Sequence, residues 1–220
     1  MSQFISIFDM LKIGVGPSSS HTLGPWRAAQ QWISKLKESS CFLLVDEIKV
    51  DLYGSLSLTG RGHATDSAIL LGLSGADPEF IPIEEIDTII TAVKDTSLLY
   101  LNNEKMISFS IDKIQFNREF LPFNPNGMTF TAFQNKELIS KETYYSIGGG
   151  FIIQEDDSLV DEIEVTKKNF PYPINRAIQL ERYCEQENLA ISEIVLQNEL
   201  VLNAPAKIDA ELHRIWTTML

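Results

Sequence analysis

Two of the chain's three histidines lie in glycine-rich segments that run into helix-like sequence. The first segment is Gly14-Val15-Gly16-Pro17-Ser18-Ser19-Ser20-His21-Thr22. Its glycines and proline shape a tight backbone, and three serines, an imidazole and a threonine follow. An imidazole titrates near neutrality and can take or give a proton. Backbone N–H groups at a helix start lack intrahelical partners and carry partial positive charge, so they favour an anion. The hydroxyls of Ser18, Ser19, Ser20 and Thr22 would add donors for a carboxylate or a phosphate. A plain helix cap by one of these residues explains the same composition, and the sequence leaves both readings open.

The second segment, Gly54 to Asp66, has the same logic. It is glycine-rich, contains Arg61, Gly62 and His63, and precedes a helical pattern that Thr65 or Asp66 would cap. His63 alone reads as structural before catalytic, and Arg61 as solvated before anion-binding. The pairing of His21 with His63 in similar settings favours a functional role for both. His213 lies on an amphipathic pattern and reads as structural or exposed. Gly148-Gly149-Gly150 reads as a tight turn between strands, with close approach of a ligand as the alternative. The first segment has no lysine where a Walker loop needs one, and no Gly-x-Gly-x-x-Gly pattern.

The elements that must position these loops follow from periodicity. Phe4–Leu11 fits a strand or a short helical turn. A helix begins at Gly24, with Pro25 in its first turn and Trp26, Ala29, Ile33 and Leu36 at helical spacing. Residues 42–45 and 47–53 read as strands, the second by the alternation of Ile48, Val50 and Leu52. Residues 54–62 read as loop and 64–73 as helix, stopping at Ser74-Gly75. A helix follows within 79–93. Segments 98–101, 105–109, 114–116, 128–133, 142–147 and 150–153 read as strands separated by Asn- and Gly-rich turns. The fold class is therefore α+β, a mixed helix–strand domain over 1–155. An acidic, proline-bearing linker is expected over 156–173. Helical patterns then run through 175–188, 191–203 and 208–220, with Ser192 and Glu193 near the second helix start. Their apolar faces find few partners, so 174–220 reads as the truncated start of a helical domain. A complete helical extension that dimerises is the alternative.

Composition narrows the partners. The 220 residues carry a formal net charge of −12 and are 44% hydrophobic. That argues against nucleic acid and against an anionic membrane surface. No run approaches the roughly 18 apolar residues of a membrane span, and the N-terminus lacks a signal-peptide pattern. Two distant cysteines, Cys41 and Cys184, give no disulfide framework or zinc spacing, and a cytoplasmic setting is expected.

Three ordered motifs resemble one enzyme family. They are Ser6-Ile7-Phe8-Asp9-Met10 with Lys12 to Thr22 and Gly24-Pro25; Tyr53-Gly54-Ser55-Leu56 with Thr59-Gly60 and Gly62 to Asp66; and Ser146 to Phe151. The chain is similar to the N-terminal part of iron–sulfur L-serine dehydratases, and Ile191 to Glu199 is similar to the start of their catalytic α domain. The resemblance implies a β domain like the allosteric substrate-binding domain of some phosphoglycerate dehydrogenases. It implies lyase chemistry, L-serine to pyruvate and ammonia, within amino-acid degradation and gluconeogenesis. The implied cofactor is a [4Fe-4S] cluster on three cysteines, whose open iron acts as a Lewis acid on the serine hydroxyl. Family active sites lie between the two domains, so His21 and His63 are the implied catalytic residues. One of them takes the α-proton, with His63 the first choice. Ser18, Ser19, Ser20, Thr22, Gly62, Thr65 and Asp66 are the implied substrate-binding set. Neither cysteine matches a cluster ligand, so no metal site, cluster or turnover is expected of this chain alone. The expected partners are L-serine, the rest of the α domain and further copies of the protein. A regulatory serine-binding module without direct catalytic function is the alternative.

Overall fold

The computed structural model describes residues 5–155 and 169–220. These fall into two compact units: residues 14–155, and residues 5–13 together with 169–220. Most of the linker expected at 156–173, including its acidic residues 156–164, lies outside the described residues, as does Phe4.

Chain order begins with a single helical turn, α1 (Ile7–Met10), which belongs with the C-terminal helices. The larger unit then opens on a turn of π-helix, Ser19–Leu23, which runs directly into α2 (Gly24–Glu38). Strand β1 (Glu47–Leu52) leads into α3 (Gly54–Thr59), a 3₁₀ turn (Gly60–His63) and α4 (Thr65–Ser74). Helix α5 (Ile83–Thr96) and a hairpin, β2 (Leu98–Leu101) with β3 (Lys105–Ser108), follow. Then come β4 (Ile114–Phe116), β5 (Gly127–Gln134), β6 (Glu137–Gly148) and β7 (Phe151–Gln154).

The main sheet has the order β4-β1-β5-β6-β7, with β1 and β4 parallel and every other pair antiparallel. Register places Ile48, Val50 and Leu52 of β1 opposite Ala132, Phe130 and Met128 of β5, and all six side chains are buried. This apolar face receives α2, whose Trp32 stacks on Phe130 with ring centroids 5.2 Å apart. The Trp32 indole N–H finds the Ser140 hydroxyl at 3.3 Å, so a large aromatic enters the core without an orphaned donor. The result is an α+β unit with α2 and α4 packed together over the sheet.

Three segments differ from the sequence reading. Residues 42–44 form a 3₁₀ turn, not a strand, because Leu43 and Leu44 point to solvent while Phe42 and Val45 enter the core. Residues 54–63 are helical rather than loop, anchored by buried Leu56. Residues 19–22 leave the expected loop for the π-turn.

The smaller unit contains α1, α6 (Ala177–Glu187), α7 (Ile191–Leu202) and α8 (Pro205–Met219). Its buried centre includes Ile194, Ile208 and two polar residues of α7. Asn198 bonds both backbone groups of Tyr172, accepting from its N–H at 3.0 Å and donating to its carbonyl at 2.7 Å. Glu199 accepts from the Ile7 N–H at 2.6 Å and the Ser6 hydroxyl at 3.0 Å, an acidic side chain at the start of α1. At the start of α7 the Glu193 carboxylate accepts from the Ala190 N–H at 2.7 Å, while Ser192 lies inside the helix. Ile178, Leu196, Leu200 and Trp216 are exposed. Among the described residues no helix is long and apolar enough to cross a membrane.

Candidate functional site

The π-turn starts at Ser18, which is extended and whose hydroxyl accepts from the His21 N–H at 3.1 Å. Both Thr22 N–H and Leu23 N–H point to the Ser18 carbonyl at 3.1 Å, and Gly24 N–H points to Ser19 O. This wider turn adds a residue at the head of α2, and such turns recur at functional sites. Gly16 makes the approach to it feasible. Its φ is +108°, and a Cβ there would lie 2.3 Å from Thr22 Cγ2. The N–H groups of Ser19 and Ser20 are left without intrahelical partners, with the hydroxyls of Ser18 and Ser20 3.5 Å apart beside them. Ser19 is exposed.

The two histidines expected to work together are neighbours. Their ring centroids are 5.0 Å apart with the planes tilted by 41°. Two reciprocal bonds stitch their backbones: Thr22 donates its hydroxyl proton to the His63 carbonyl at 2.9 Å, and Thr65 to the His21 carbonyl at 2.6 Å. Both threonines are buried. Their hydroxyl protons are therefore committed to holding the loops together.

The rings differ in their surroundings. His63 Nδ1 lies 3.0 Å from the Thr59 carbonyl. A carbonyl only accepts, so Nδ1 is assigned the proton and Nε2 the lone pair. Nε2 has no hydrogen-bond partner among the described residues. His21 has hydroxyls at both nitrogens, Ser20 Oγ 2.9 Å from Nδ1 and Ser55 Oγ 3.0 Å from Nε2. Burial, and secondly the neighbouring His63, hold His21 below its ordinary value of 6.5. His21 is thus neutral at neutral pH.

Other expected residues are placed less centrally. Gly62 is exposed in the 3₁₀ turn, with open space where a side chain would project. Asp66 Oδ1 accepts from the Ser67 N–H at 2.9 Å. Neither Thr65 nor Asp66 caps α4; its cap is Ala64, in left-handed conformation with φ 53°. Arg61 stacks over the Phe116 ring at 4.8 Å. His213 is exposed on α8, and Gly148 to Gly150 make the turn between β6 and β7. Ser55 is a residue of the second motif to which sequence reading gave no role, and it bonds the His21 ring. Its signal was present, a serine directly after the Tyr53-Gly54 break where a strand gives way to a helix.

Cys41 and Cys184 are both free, Cys41 in the larger unit and Cys184 in the smaller. Among the described residues no group of three or more His, Cys, Asp or Glu side chains is arranged to hold a metal ion.

Comparison with known proteins places these features. The family profile described as serine dehydratase beta chain matches residues 6–157. An L-serine dehydratase of Haemophilus influenzae is 43% identical over 98% of this chain and 48% of its own length. The L-serine dehydratase TdcG of Escherichia coli is 43% identical over 98% of this chain and 47% of its own. An L-serine dehydratase of Streptomyces coelicolor is 37% identical over 98% and 48%. The chain spans about half the length of the curated relatives it matches.

Proposed function

The chain belongs to the serine dehydratase beta chain family, and from that premise we propose that it is the serine-binding part of an L-serine ammonia-lyase. The complete enzyme converts L-serine to pyruvate and ammonia. The observation that carries this reading is the free Nε2 of His63 beside a serine-lined helix start.

In this reading the substrate carboxylate sits against the N–H groups of Ser19 and Ser20, with the Ser18 and Ser20 hydroxyls as further donors. His63 Nε2 removes the α-proton, and the Thr59 carbonyl keeps its other nitrogen protonated. His21 stays neutral and supports the pocket through its hydroxyl partners. Loss of the β-hydroxyl as water gives an enamine, which rearranges to an imine, and hydrolysis releases ammonia and pyruvate. The family resemblance assigns help for the departing hydroxyl to a [4Fe-4S] cluster on three cysteines. Cys41 and Cys184, one in each unit, do not fit that set. The groups that expel the hydroxyl belong to the portion of the relatives that this chain does not span.

Calorimetric titration of L-serine and D-serine into the chain tests the binding part. L-Serine binding that Ser18→Ala and Ser20→Ala weaken, and His63→Gln retains, is the expected result. Failure of the chain to bind either enantiomer would refute the reading. The chain alone is expected to form no pyruvate after anaerobic treatment with iron and sulfide, and turnover there would overturn its assignment as an incomplete enzyme.

A further inference from the structure

We infer that Ser55 is a positioning residue for His21, and that the segment 117–126 is built to hold it in place. The inference rests on the reading of His21 and His63 as a serine-dehydratase site and names a further member of it. Among the described residues, the bond from Ser55 Oγ to His21 Nε2, 3.0 Å, is the one hydrogen bond that ties the ring to a distant part of the chain. The other ring partner, Ser20, is the adjacent residue and moves with the same turn. Without Ser55 the imidazole would keep only the adjacent Ser20 hydroxyl as hydrogen-bond partner among the described residues, with its ring contact to His63.

The backbone around Ser55 is strongly determined. The Tyr53 N–H donates to the Gly127 carbonyl at 2.9 Å. The Gly54 N–H donates to the Glu119 carbonyl and the Ser55 N–H to the Pro125 carbonyl, both at 2.7 Å. Gly54 has φ +53°, and a Cβ there would lie 2.3 Å from the Pro125 carbonyl oxygen and 2.8 Å from the Phe120 ring. A side chain at 54 is excluded both by conformation and by space. The two helix-start N–H groups that usually seek water or a cap are instead spent on the 117–126 segment. The Ser55 hydroxyl is free of capping duty and faces the ring. A hydroxyl is also the suitable partner chemically. It donates to an unprotonated Nε2 and accepts from a protonated one, so it holds the ring through a change of proton without fixing its charge.

The test uses the chain with ¹⁵N-labelled histidine. Its three imidazoles are distinguishable, and exposed His213 serves as the internal reference. Ser55→Ala is expected to move the His21 ring signals while leaving His213 in place. Ser55→Thr, which keeps the hydroxyl, returns them toward the parent. Ser57→Ala, on the same helix, leaves them unmoved. L-Serine affinity falls about two- to ten-fold in Ser55→Ala, the equivalent of one net hydrogen bond, and recovers in Ser55→Thr. Should Ser55→Ala fail to fold, Ser55→Cys carries the same test with a side chain of similar shape and weak hydrogen bonding. His21 signals unchanged in a folded variant overturn the inference. The spectra require no ligand, so a shift in His21 together with a parent chain that ignores L-serine upholds Ser55 and refutes the substrate assignment instead.

Discussion

Thr65→Val removes one side of the reciprocal stitch between the two histidine loops. Thr65 has 0% exposure, and its hydroxyl donates to the His21 carbonyl at 2.6 Å. Valine nearly preserves the shape, so the lost term is the hydrogen bond and the carbonyl deprived of this donor. Such a loss in a largely buried setting costs about 1–2 kcal/mol. For a unit of this size each kcal/mol lowers the melting temperature by roughly 2–4 °C, which gives a drop of about 2–8 °C. Thr22→Val removes the mirror-image bond to the His63 carbonyl, 2.9 Å, and is expected to cost a similar amount. The two bonds restrain the same pair of loops. Once one is lost the loops separate more easily and the other is worth less, so the double variant should cost less than the sum by about 0.5 kcal/mol or more. Differential scanning calorimetry on the three variants measures both quantities. A Thr65→Val melt within about 1 °C of the parent, or strictly additive losses, would refute the view that these threonines act as a coupled clasp.

Glu199→Ala removes the acceptor for the Ser6 hydroxyl and the Ile7 N–H from a residue with 1% exposure. A loss of about 2–3 kcal/mol is expected, with residues 5–13 becoming the first site of limited proteolysis; resistance equal to the parent's would contradict the anchoring role. His21 makes stability depend on pH. Its folded value is lowered, so the unfolded chain binds the extra proton first as pH falls. This contribution is complete above the unfolded value of 6.5, is lost as pH drops toward the folded value, and is then constant. Thermal melts between about pH 7.5 and 5.5 should show that loss in the parent and a smaller one in His21→Gln. His63→Gln should let the His21 ring, followed by NMR, titrate closer to its ordinary value, because the electrostatic influence of His63 is gone.

The elements whose boundaries coincide with strong local chemistry were legible in the sequence. Pro25 starts α2, Gly75 ends α4 in left-handed conformation, and the alternation of Ile48, Val50 and Leu52 marks β1. The failures have physical causes. Residues 42–45 are four apolar side chains in a row, a pattern shared by a buried strand and by a turn that uses only its first and last members. The glycines of 54–62 argued for loop, yet packing of Leu56 and the bonds to Glu119 and Pro125 make the segment helical, a tertiary override of propensity. The π-turn adds one residue to a helical turn, which no apolar periodicity over five polar-rich residues can register. Of the candidate site, the juxtaposition of the two histidines was legible because their settings match, and their ring centroids lie 5.0 Å apart. Thr65 or Asp66 was read as the cap of α4; the cap position is instead Ala64, in left-handed conformation, and the buried Thr65 hydroxyl donates to the His21 carbonyl.

The same contacts keep carboxylates away from the two rings. No carboxylate bonds either histidine ring among the described residues; their partners are hydroxyls, a carbonyl and each other. A carboxylate would raise the basicity of an imidazole but would also repel an anionic substrate in a chain of net charge −12. A helix start and hydroxyls favour an anion through partial charges alone. Burial of His21 completes the arrangement. A proton on His21 would place a positive charge 5.0 Å from the ring proposed to receive the α-proton, and would oppose that transfer. In the proposed mechanism His21 serves by remaining uncharged, and Ser55 is a partner that binds its ring without setting its charge.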